Sequence, residues 1–340
     1  MRVEVVEDIN DIDEAAWDAM TSSGAYYASR DWIRRHNTLF HPKTVYICVR
    51  DGSRLLAVAP FSFARREPSY EHSQRRLADV FGEDSTFAIL GSRRGYRNKW
   101  LTHPEAGGVE LKDIVGHMVA AALDLARSWN VDAVVAPYLT AAATKLLAGQ
   151  AGVSRIQEFS TEAVLDLPGG SFDDYIAGLG RQSRSNVRRE RAQPLALGLQ
   201  LQREPIRPGI ADMLAGPMAQ VEAKYGREFS VGGLRRYLVE TLEDNAANAR
   251  LFTCRSSSGD LICATMAFEW KSALYIRSTA TDYAADPPKS FAHFNTVYYE
   301  PIEYCLRTGL RRIYFGTETL KTKVARGCRT SPLYHVLLKS

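Results

Sequence analysis

The stretch Arg250-Leu-Phe-Thr-Cys-Arg-Ser-Ser-Ser-Gly-Asp-Leu-Ile-Cys-Ala-Thr-Met-Ala-Phe268 joins two apolar, β-prone runs through a polar turn that contains Gly and Asp. This pattern predicts a β-hairpin. The same order occurs in Val45-Tyr-Ile-Cys-Val-Arg-Asp-Gly-Ser-Arg-Leu-Leu-Ala-Val-Ala-Pro-Phe61, whose Asp-Gly turn is a strong hairpin signal. Each half of the sequence then offers helices, the hairpin, a further strand, a helix and a strand. The repeat predicts two copies of one α/β unit, and the alternative is a chance likeness between two generic α/β halves.

The 340-residue length fits two domains. Pro168-Gly-Gly interrupts the pattern between the halves and marks the expected junction. We therefore expect domains at residues 1–167 and 168–340.

Composition places the chain in the ordinary globular class, with 45% apolar and 24% charged residues and a formal net charge of +4. This charge does not require a nucleic-acid partner, but it permits a local basic patch. No apolar run approaches the roughly 18 residues of a membrane span, and the acidic N-terminal segment lacks the apolar core of a secretion signal. Five scattered cysteines without metal-ligand spacing predict a cytoplasmic protein without disulfides or bound metal.

The segment from Gly309 to Pro332 is a candidate for chemistry. A short apolar strand, Ile313 to Phe315, ends at Gly316, and a loop with one carboxylate, Glu318, follows. The loop also carries four cations: Lys321, Lys323, Arg326 and Arg329. Such a cluster after a strand fits an active site, and it equally fits a solvated loop.

An arginine-rich segment follows the junction. Arg181, Arg184, Arg188 and Arg191 are spaced three, four and three apart, which places all four on one helix face, and Arg189 adds to them. Like charges at these spacings repel, and Glu190 is the one acid close in sequence. We expect an anion such as a nucleic-acid backbone or a cofactor phosphate on this face, because guanidinium pairs with phosphate in two parallel hydrogen bonds. The alternative is a surface helix with Arg–Glu pairs, and Gly178 and Gly180 are expected to break the helix.

Four further residues are candidates for substrate contact. Tyr275 and Arg277 share one face of a predicted strand and are expected to line a groove. His293 and Asn295 begin a predicted helix, where a capping role is the alternative. A second basic loop, residues 93–99, adds charge suited to a tRNA acceptor stem.

The two halves, the arginine-rich segment and the ending Gly316-Thr-Glu-Thr-Leu-Lys-Thr-Lys-Val-Ala-Arg-Gly327 resemble the Fem-like branch of the GNAT acyltransferase superfamily. The resemblance covers nearly the whole chain. It implies two tandem GNAT-like domains, each a mixed, mostly antiparallel sheet flanked by helices, with the acyl-transfer site in the C-terminal domain. It also implies direct attack of an amine on an aminoacyl ester, with no tightly bound cofactor.

In this resemblance Lys323 lies near the donor ester and steadies the developing oxyanion, a role that a fixed cation performs well. Lys321 is its rival, because both side chains would face the same side of an extended segment. Glu318 is expected to take or orient the proton of the attacking amine, and the alternative is an ion pair with Lys321 or Arg326. Gly316 and Arg326 are expected to border the substrate and the donor, respectively.

The sequence departs from conventional GNAT domains, because no clean glycine-rich pyrophosphate loop is present. The segment Asp286-Pro-Pro-Lys-Ser-Phe-Ala292, with Lys289 and Ser290, is the nearest substitute for a phosphate-facing helix start. This absence counts against acetyl-CoA. Together with the arginine-rich segment, the basic loop at residues 93–99 and the match of Lys323, it favours aminoacyl-tRNA over acyl-CoA or an acyl-carrier protein as the donor.

We therefore expect an N-acyltransferase that makes an amide on a small-molecule or peptide-like amine, in cell-wall, natural-product or antibiotic biosynthesis. A different class of function is a non-catalytic tandem GNAT protein that binds RNA or a phosphorylated ligand. The acyl group, the acceptor, the pathway and the oligomeric state do not follow from the sequence.

Overall fold

In the computed structural model the chain forms two compact units, Met1–Glu162 with Ser331–Ser340 (unit 1) and Ala163–Thr330 (unit 2). The structure describes residues 1–21, 24–38, 42–67, 72–82, 84–106 and 108–339. The expected junction after residue 167 lies close to the observed end of the first segment. The expected second domain, in contrast, ran to residue 340, whereas the structure places Ser331–Ser340 in unit 1.

The β-strands of the described residues have the following bounds: β1 Arg2–Val6, β2 Lys43–Asp51, β3 Arg54–Phe63, β4 Phe87–Leu90, β5 Leu101–Thr102, β6 Ala133–Thr140, β7 Val153–Asp166, β8 Gln200–Glu204, β9 Ala249–Arg255, β10 Leu261–Trp270, β11 Ala273–Thr281, β12 Arg312–Tyr314 and β13 Arg329–Leu338. The unit boundary falls within β7 and within β13.

The α-helices of the described residues are α1 Glu14–Met20, α2 Arg30–Thr38, α3 Gln74–Phe81, α4 Gly108–Ser128, α5 Ala141–Lys145, α6 Phe172–Ala177, α7 Arg181–Ala196, α8 Ile210–Lys224, α9 Val231–Leu238, α10 Ala292–Phe294, α11 Glu300–Thr308 and α12 Leu320–Val324. Within the described ranges, none of them is long and apolar enough to cross a bilayer.

Unit 1 contains a mixed sheet with the strand order β1-β2-β3-β4-β6-β13. Neighbouring strands run antiparallel except β4 and β6, which are parallel and are joined through helix α4. Strand β13 belongs to this sheet from Leu333 onward, because Leu333–Leu338 pairs with β6. This pairing explains why Ser331–Ser340 groups with unit 1.

Unit 2 repeats the same arrangement, with the strand order β8-β9-β10-β11-β12-β7. Its one parallel pair among these neighbours is β11–β12, joined through α11, and the other pairs are antiparallel. The predicted repeat of one α/β unit is confirmed, with β1–β4 and β6 of unit 1 corresponding to β8–β11 and β12 of unit 2.

Apolar periodicity explains the core of each unit. In unit 1 the buried face of α4, with Ile114, Val115 and Met118, packs on the strands of the first hairpin, β2 and β3. In unit 2 the cluster around Ile302 and Tyr299 packs on β11 and β12. Both predicted hairpins are confirmed, because β2–β3 and β9–β10 pair antiparallel around their turns.

The helix predicted over residues 293–308 is less regular than expected. Helix α10 leads into a π-helical turn, Asn295–Tyr299, and then into α11. Pro301 lies in the first turn of α11, a position where proline has no hydrogen bond to lose. Pro301 therefore marks the start of the regular helix.

Candidate functional site in unit 2

The parallel pair of unit 2 separates where β12 ends. Residues Ala273–Tyr275 of β11 pair with Arg312–Tyr314, and β11 then continues without this partner. On the other side of β12, the Phe315 N–H donates to Ala163 O (2.9 Å) and the Ala163 N–H donates to Gly316 O (3.0 Å). Two residues thus face one, which is a β-bulge, and Gly316 has a left-handed φ of +70°.

The carbonyl of Phe315 accepts a hydrogen bond from Lys323 Nζ at 2.7 Å. Lys323 is 5% exposed, although lysine is rarely buried without an ion-pair partner. Burial lowers the pKa of its ammonium to about 8, against the opposite influence of nearby Cys328 and Glu318. The ammonium has three N–H donors, and Phe315 accepts from one of them in the described part of the chain. The arrangement can therefore donate hydrogen bonds to an anionic oxygen.

The structure separates the two candidate lysines. They lie on a short helix, α12, and not on the extended segment that the sequence suggested. At roughly 100° per residue, positions 321 and 323 point to different sides of a helix. Lys321 is exposed, whereas Lys323 points inward. The expectation that both share one side was wrong, because Thr319 turns the chain with a φ of +54°.

Glu318 precedes that turn and has a side chain that is 57% exposed. Its carboxylate lies 3.4 Å from Arg227, and not beside Lys321 or Arg326 as the ion-pair alternative proposed. Thr319, a β-branched residue in the left-handed region, is a backbone outlier next to this carboxylate. Burial raises the pKa of the Tyr298 hydroxyl, and the nearby Thr319 side chain opposes that shift. The strained turn thus fixes Glu318 and Lys323 in one short loop.

The arginine-rich segment forms two helices, because Gly178 ends α6 and Gly180 begins α7. The four arginines in the first part of α7 are solvent-accessible: Arg181, Arg184, Arg188 and Arg189. Within the described ranges none of these four forms an ion pair, although Arg184 donates to the Ala177 carbonyl at the end of α6 (3.1 Å). The first turn of α7 has no acidic residue, so positive charges lie at the positive end of the helix dipole.

Two arginines predicted to bind the donor have other partners. Arg191 donates to Glu300 (2.5 Å) and Glu303 (2.6 Å), which are far from it in sequence. Arg326 is 5% exposed and pairs with Glu190 at 2.5 Å. The assignment of these two guanidiniums to donor phosphates was wrong, because carboxylates that the linear sequence does not place nearby already neutralise them.

Glu190 lies at the middle of a buried hydrogen-bond network in unit 2, which was not predicted from the sequence. Its buried carboxylate accepts from Arg326 and from the Tyr299 hydroxyl, and its backbone oxygen accepts from Asn295 Nδ2 at 2.8 Å. The guanidinium of Arg326 also lies 4.3 Å from the ring centroid of Phe294. A lone acid within an arginine run is the sequence signal for such a centre.

Among the predicted substrate contacts, Tyr275 and Asn295 are buried in the core. Tyr275 is 1% exposed and stacks on Tyr314, and Asn295 is 0% exposed and accepts from Arg191. Their expected substrate roles were wrong for this reason. Arg277 is half-buried and donates to the Tyr237 hydroxyl at 3.2 Å, whereas His293 lies within α10 with solvent contact. Asn295 is also not the N-cap that the sequence suggested, because Phe291 occupies that position of α10. His293 stays a candidate.

The substitute phosphate loop at residues 286–292 is closed by its own side chains. Ser290 is 2% exposed, and its hydroxyl donates to Asp286 (2.5 Å) and accepts from the Ala292 N–H (3.0 Å). The first amide of α10 is thus occupied, while Lys289 is exposed. This helix start is not the open phosphate cradle that the sequence suggested.

The second basic loop, residues 93–99 in unit 1, does not present the free charge that was expected to suit a tRNA acceptor stem. Arg93 and Arg94 are each 4% exposed and both pair with the buried Glu67. Arg97 pairs with Glu162. These three guanidiniums are ion-paired within unit 1 and are not available to an acceptor stem.

The FemAB-like family model, described as peptidoglycan biosynthesis/recognition, matches residues 99–338. No curated protein sequence matches the chain. Among solved structures, FemX aligns with a TM-score of 0.65 at 13% identity, covering 99% of this chain and 97% of that one. L-PGS from Bacillus licheniformis has a TM-score of 0.52 at 12% identity, covering 83% and 81%. A tandem GNAT protein from the clavulanic acid biosynthesis pathway has a TM-score of 0.53 at 14% identity, covering 99% and 98%. These likenesses establish the tandem GNAT fold.

Proposed function

Because the chain belongs to the FemAB-like family of acyltransferases, we propose that it transfers an aminoacyl group from aminoacyl-tRNA to the amine of a small-molecule or peptide-like acceptor. The observation that carries this proposal is the buried Lys323 ammonium at the end of β12, with one carbonyl partner in the described residues. The family description supports a role in cell-wall synthesis.

The reaction requires an amine to attack an ester carbonyl. A C–N bond forms, the C–O bond to the ribose breaks, the amine loses a proton and the leaving ribose oxygen gains one. Negative charge develops on the carbonyl oxygen in between, and a fixed ammonium lowers the energy of that state. Lys323 supplies this cation, and the carboxylate of Glu318 in the same loop receives the proton of the amine.

Two features favour tRNA as the donor. Arg181, Arg184, Arg188 and Arg189 present solvent-accessible guanidiniums that have no ion pair within the described ranges, as a polyanionic ligand requires. In contrast, the helix start at Ser290 is occupied by internal hydrogen bonds, which disfavours a CoA pyrophosphate there. The donor is thus an RNA whose backbone lies along α7.

The proposal is tested in a coupled assay that contains tRNA, an aminoacyl-tRNA synthetase, its amino acid and a panel of amines. We expect an amide product by mass spectrometry, and we expect ribonuclease to abolish its formation. Full activity with acyl-CoA or an acyl-carrier protein after ribonuclease treatment would overturn the tRNA donor. If no donor supports turnover while RNA still binds, the protein is a binding module instead.

A charge variant tests the arginine surface separately. Replacing Arg181, Arg184 and Arg188 by Gln should reduce the salt dependence of RNA affinity, lowering the slope of log K against log salt by about 2 to 3. The matched control replaces three exposed arginines elsewhere in unit 2: Arg207, Arg236 and Arg307. Equal effects of the two triple variants would contradict a specific contact at α7.

A further inference from the structure

Two tyrosine rings of unit 2 lie at the surface although the unit has a large apolar core. Tyr225 is 52% exposed and Tyr283 is 43% exposed. By comparison, Tyr275, Tyr299 and Tyr314 in the same unit are each at most 5% exposed. Exposed aromatic rings forgo the free energy that burial would provide, so a pair of them suggests a ligand.

Each exposed ring lies beside a cation. Lys224 Nζ is 4.6 Å from the ring centroid of Tyr283, and the guanidinium of Arg227 is 5.5 Å from that of Tyr225. Ring faces recognise single-stranded nucleic acid, because bases stack on them. Of the two cations, Lys224 is exposed and can approach a phosphate, whereas Arg227 is paired with Glu222 and Glu318.

The rings are adjacent to the candidate site. Tyr225 follows the last residue of α8, and Arg227, two residues later, contacts Glu318 in the loop that carries Lys323. One exposed ring therefore lies beside the loop where the acyl group would react.

The rings also connect to the arginine helix. Tyr283 is the second residue of the segment that runs from β11 to α10, and Phe291 is its last. The guanidinium of Arg189 lies 5.7 Å from the Phe291 ring centroid. This segment therefore extends from the Tyr283–Lys224 pair to α7, a route suited to a strand whose backbone contacts the arginines.

We propose that Tyr225 and Tyr283 stack on the unpaired 3′-terminal nucleotides of the donor RNA, with the terminal adenine beside the Lys323 loop. This inference rests on the proposed function. The reactive ester is attached to the ribose of that terminal adenosine, so stacking its base here brings the carbonyl to Lys323. An adenine also occurs in CoA, but there a long pantetheine arm separates it from the thioester.

The test uses a short RNA hairpin with an unpaired CCA end whose last adenine is replaced by 2-aminopurine, titrated with the full chain. Stacking should quench the fluorescence. Replacing Tyr225 and Tyr283 by Ala should remove the quenching and weaken binding at least about 30-fold, because each of the two stacked bases contributes roughly 1–3 kcal/mol. Phe at both positions should preserve binding, and Val231→Ala, which alters another exposed apolar residue, should change nothing.

A hairpin with an abasic last position completes a double-mutant cycle. Removing the last base should lower the affinity of the hairpin for the wild-type chain. It should leave the affinity for the double Ala variant unchanged, because that variant no longer stacks on the base. Equal loss for both proteins, or unchanged quenching by the Ala variant, would overturn the stacking site and leave the tRNA donor standing. Failure of the wild-type chain to bind either hairpin, with or without binding of CoA, would overturn the proposed function and the stacking site together.

Discussion

The two units contain the same local structure with different side chains. In unit 2, Phe315 and Gly316 bulge opposite Ala163, and a five-residue helix, α12, follows. In unit 1, strand β6 bulges by one residue opposite His335, at Tyr138, which has a φ of +51°. Here too a five-residue helix follows, α5. The repeated fold therefore produces the same bulge and helix twice.

The polar groups at the two bulges differ. The carbonyl before the bulged residue accepts from the Lys323 ammonium in unit 2, but from the Asn98 amide in unit 1, where Asn98 Nδ2 lies 2.8 Å from Pro137 O. The fourth residue of the following helix is Lys323 in α12 and a buried threonine, Thr144, in α5. The fold thus places the fourth residue of the short helix equivalently in both units, and only in unit 2 is that residue a cation.

Lys323→Met should cause the largest loss of function. It removes the charge and keeps most of the volume, so kcat should fall about 10²- to 10³-fold while the fold persists. Steady-state kinetics and a thermal melt measure the two properties.

The matched change in unit 1 is Asn98→Ala. It should destabilise by about 1–3 kcal/mol in urea, because the buried carbonyls of Ser92 and Pro137 lose their donor, and it should leave kcat near the wild-type value. If Asn98→Ala lowered kcat as much as Lys323→Met without a loss of stability, the contrast between the two bulges would be wrong.

A second difference between the two bulges is the residue two places after each. It is the charged Glu318 in unit 2 and the uncharged Thr140 in unit 1, and Glu318→Gln tests this difference. If Glu318 accepts the proton, its replacement by Gln should lower kcat about 10²-fold. The control is Glu222→Gln, because Glu222 also pairs with Arg227. Glu318 would be a surface ion-pair partner if its replacement changed kcat no more than the control does.

The dependence of kcat on pH should show a smaller effect than the substitutions of Lys323 and Glu318. Because the pKa of Lys323 is about 8, kcat should decline above that pH as the cation is lost. Lys323→Arg should remove this decline in a variant that still folds, since guanidinium stays charged. An acceptor amine of low pKa keeps its own ionisation out of the measurement, and an unshifted profile in the Arg variant would contradict the assignment.

The same group affects stability with a defined sign. The pKa of Lys323 is lower in the folded chain than its ordinary 10.5. Between about pH 8 and 10.5 the unfolded state therefore binds more protons, and this residue makes the free energy of unfolding rise with pH. Lys323→Met should lack that contribution.

The smallest effect should come from Gly316→Ala, at about 1–2 kcal/mol of stability. An added Cβ would meet nothing within 4 Å, so the cost comes from the φ of +70° alone. Gly180→Ala is the control, because its Cβ would also be unobstructed and its φ is −61°. Equal melting temperatures for the two variants would mean that the bulge tolerates an L-residue as Tyr138 does in unit 1.

Local sequence patterns were sufficient for the hairpins and for the repeat of one α/β unit. Asp51-Gly52 and the period of α4 follow from turn and helix chemistry within a few residues, so the hairpins and the repeat could be predicted. The bulges could not, since they depend on strand register. The choice between Lys321 and Lys323 likewise required the left-handed turn at Thr319, a conformation that a β-branched residue seldom adopts.

The errors at the candidate site share one cause. Whether an arginine faces solvent depends on acids that folding brings to it from elsewhere in the chain. Arg191 meets Glu300 and Glu303, and Arg326 meets Glu190, across separations of 109, 112 and 136 residues. Arg181 and Arg188, by contrast, are exposed as their spacing predicted.

The strand β13 has a consequence for synthesis on the ribosome. Its residues Leu333–Leu338 pair with β6, whose own residues emerge almost two hundred positions earlier. At roughly 5–20 residues per second, β6 waits on the order of ten to forty seconds for that partner. Unit 2 is continuous in sequence and can form during the delay, while unit 1 presents an unpaired strand edge. The nascent chain therefore exposes this strand edge to aggregation until β13 is made, and slower translation of unit 2 lengthens that interval.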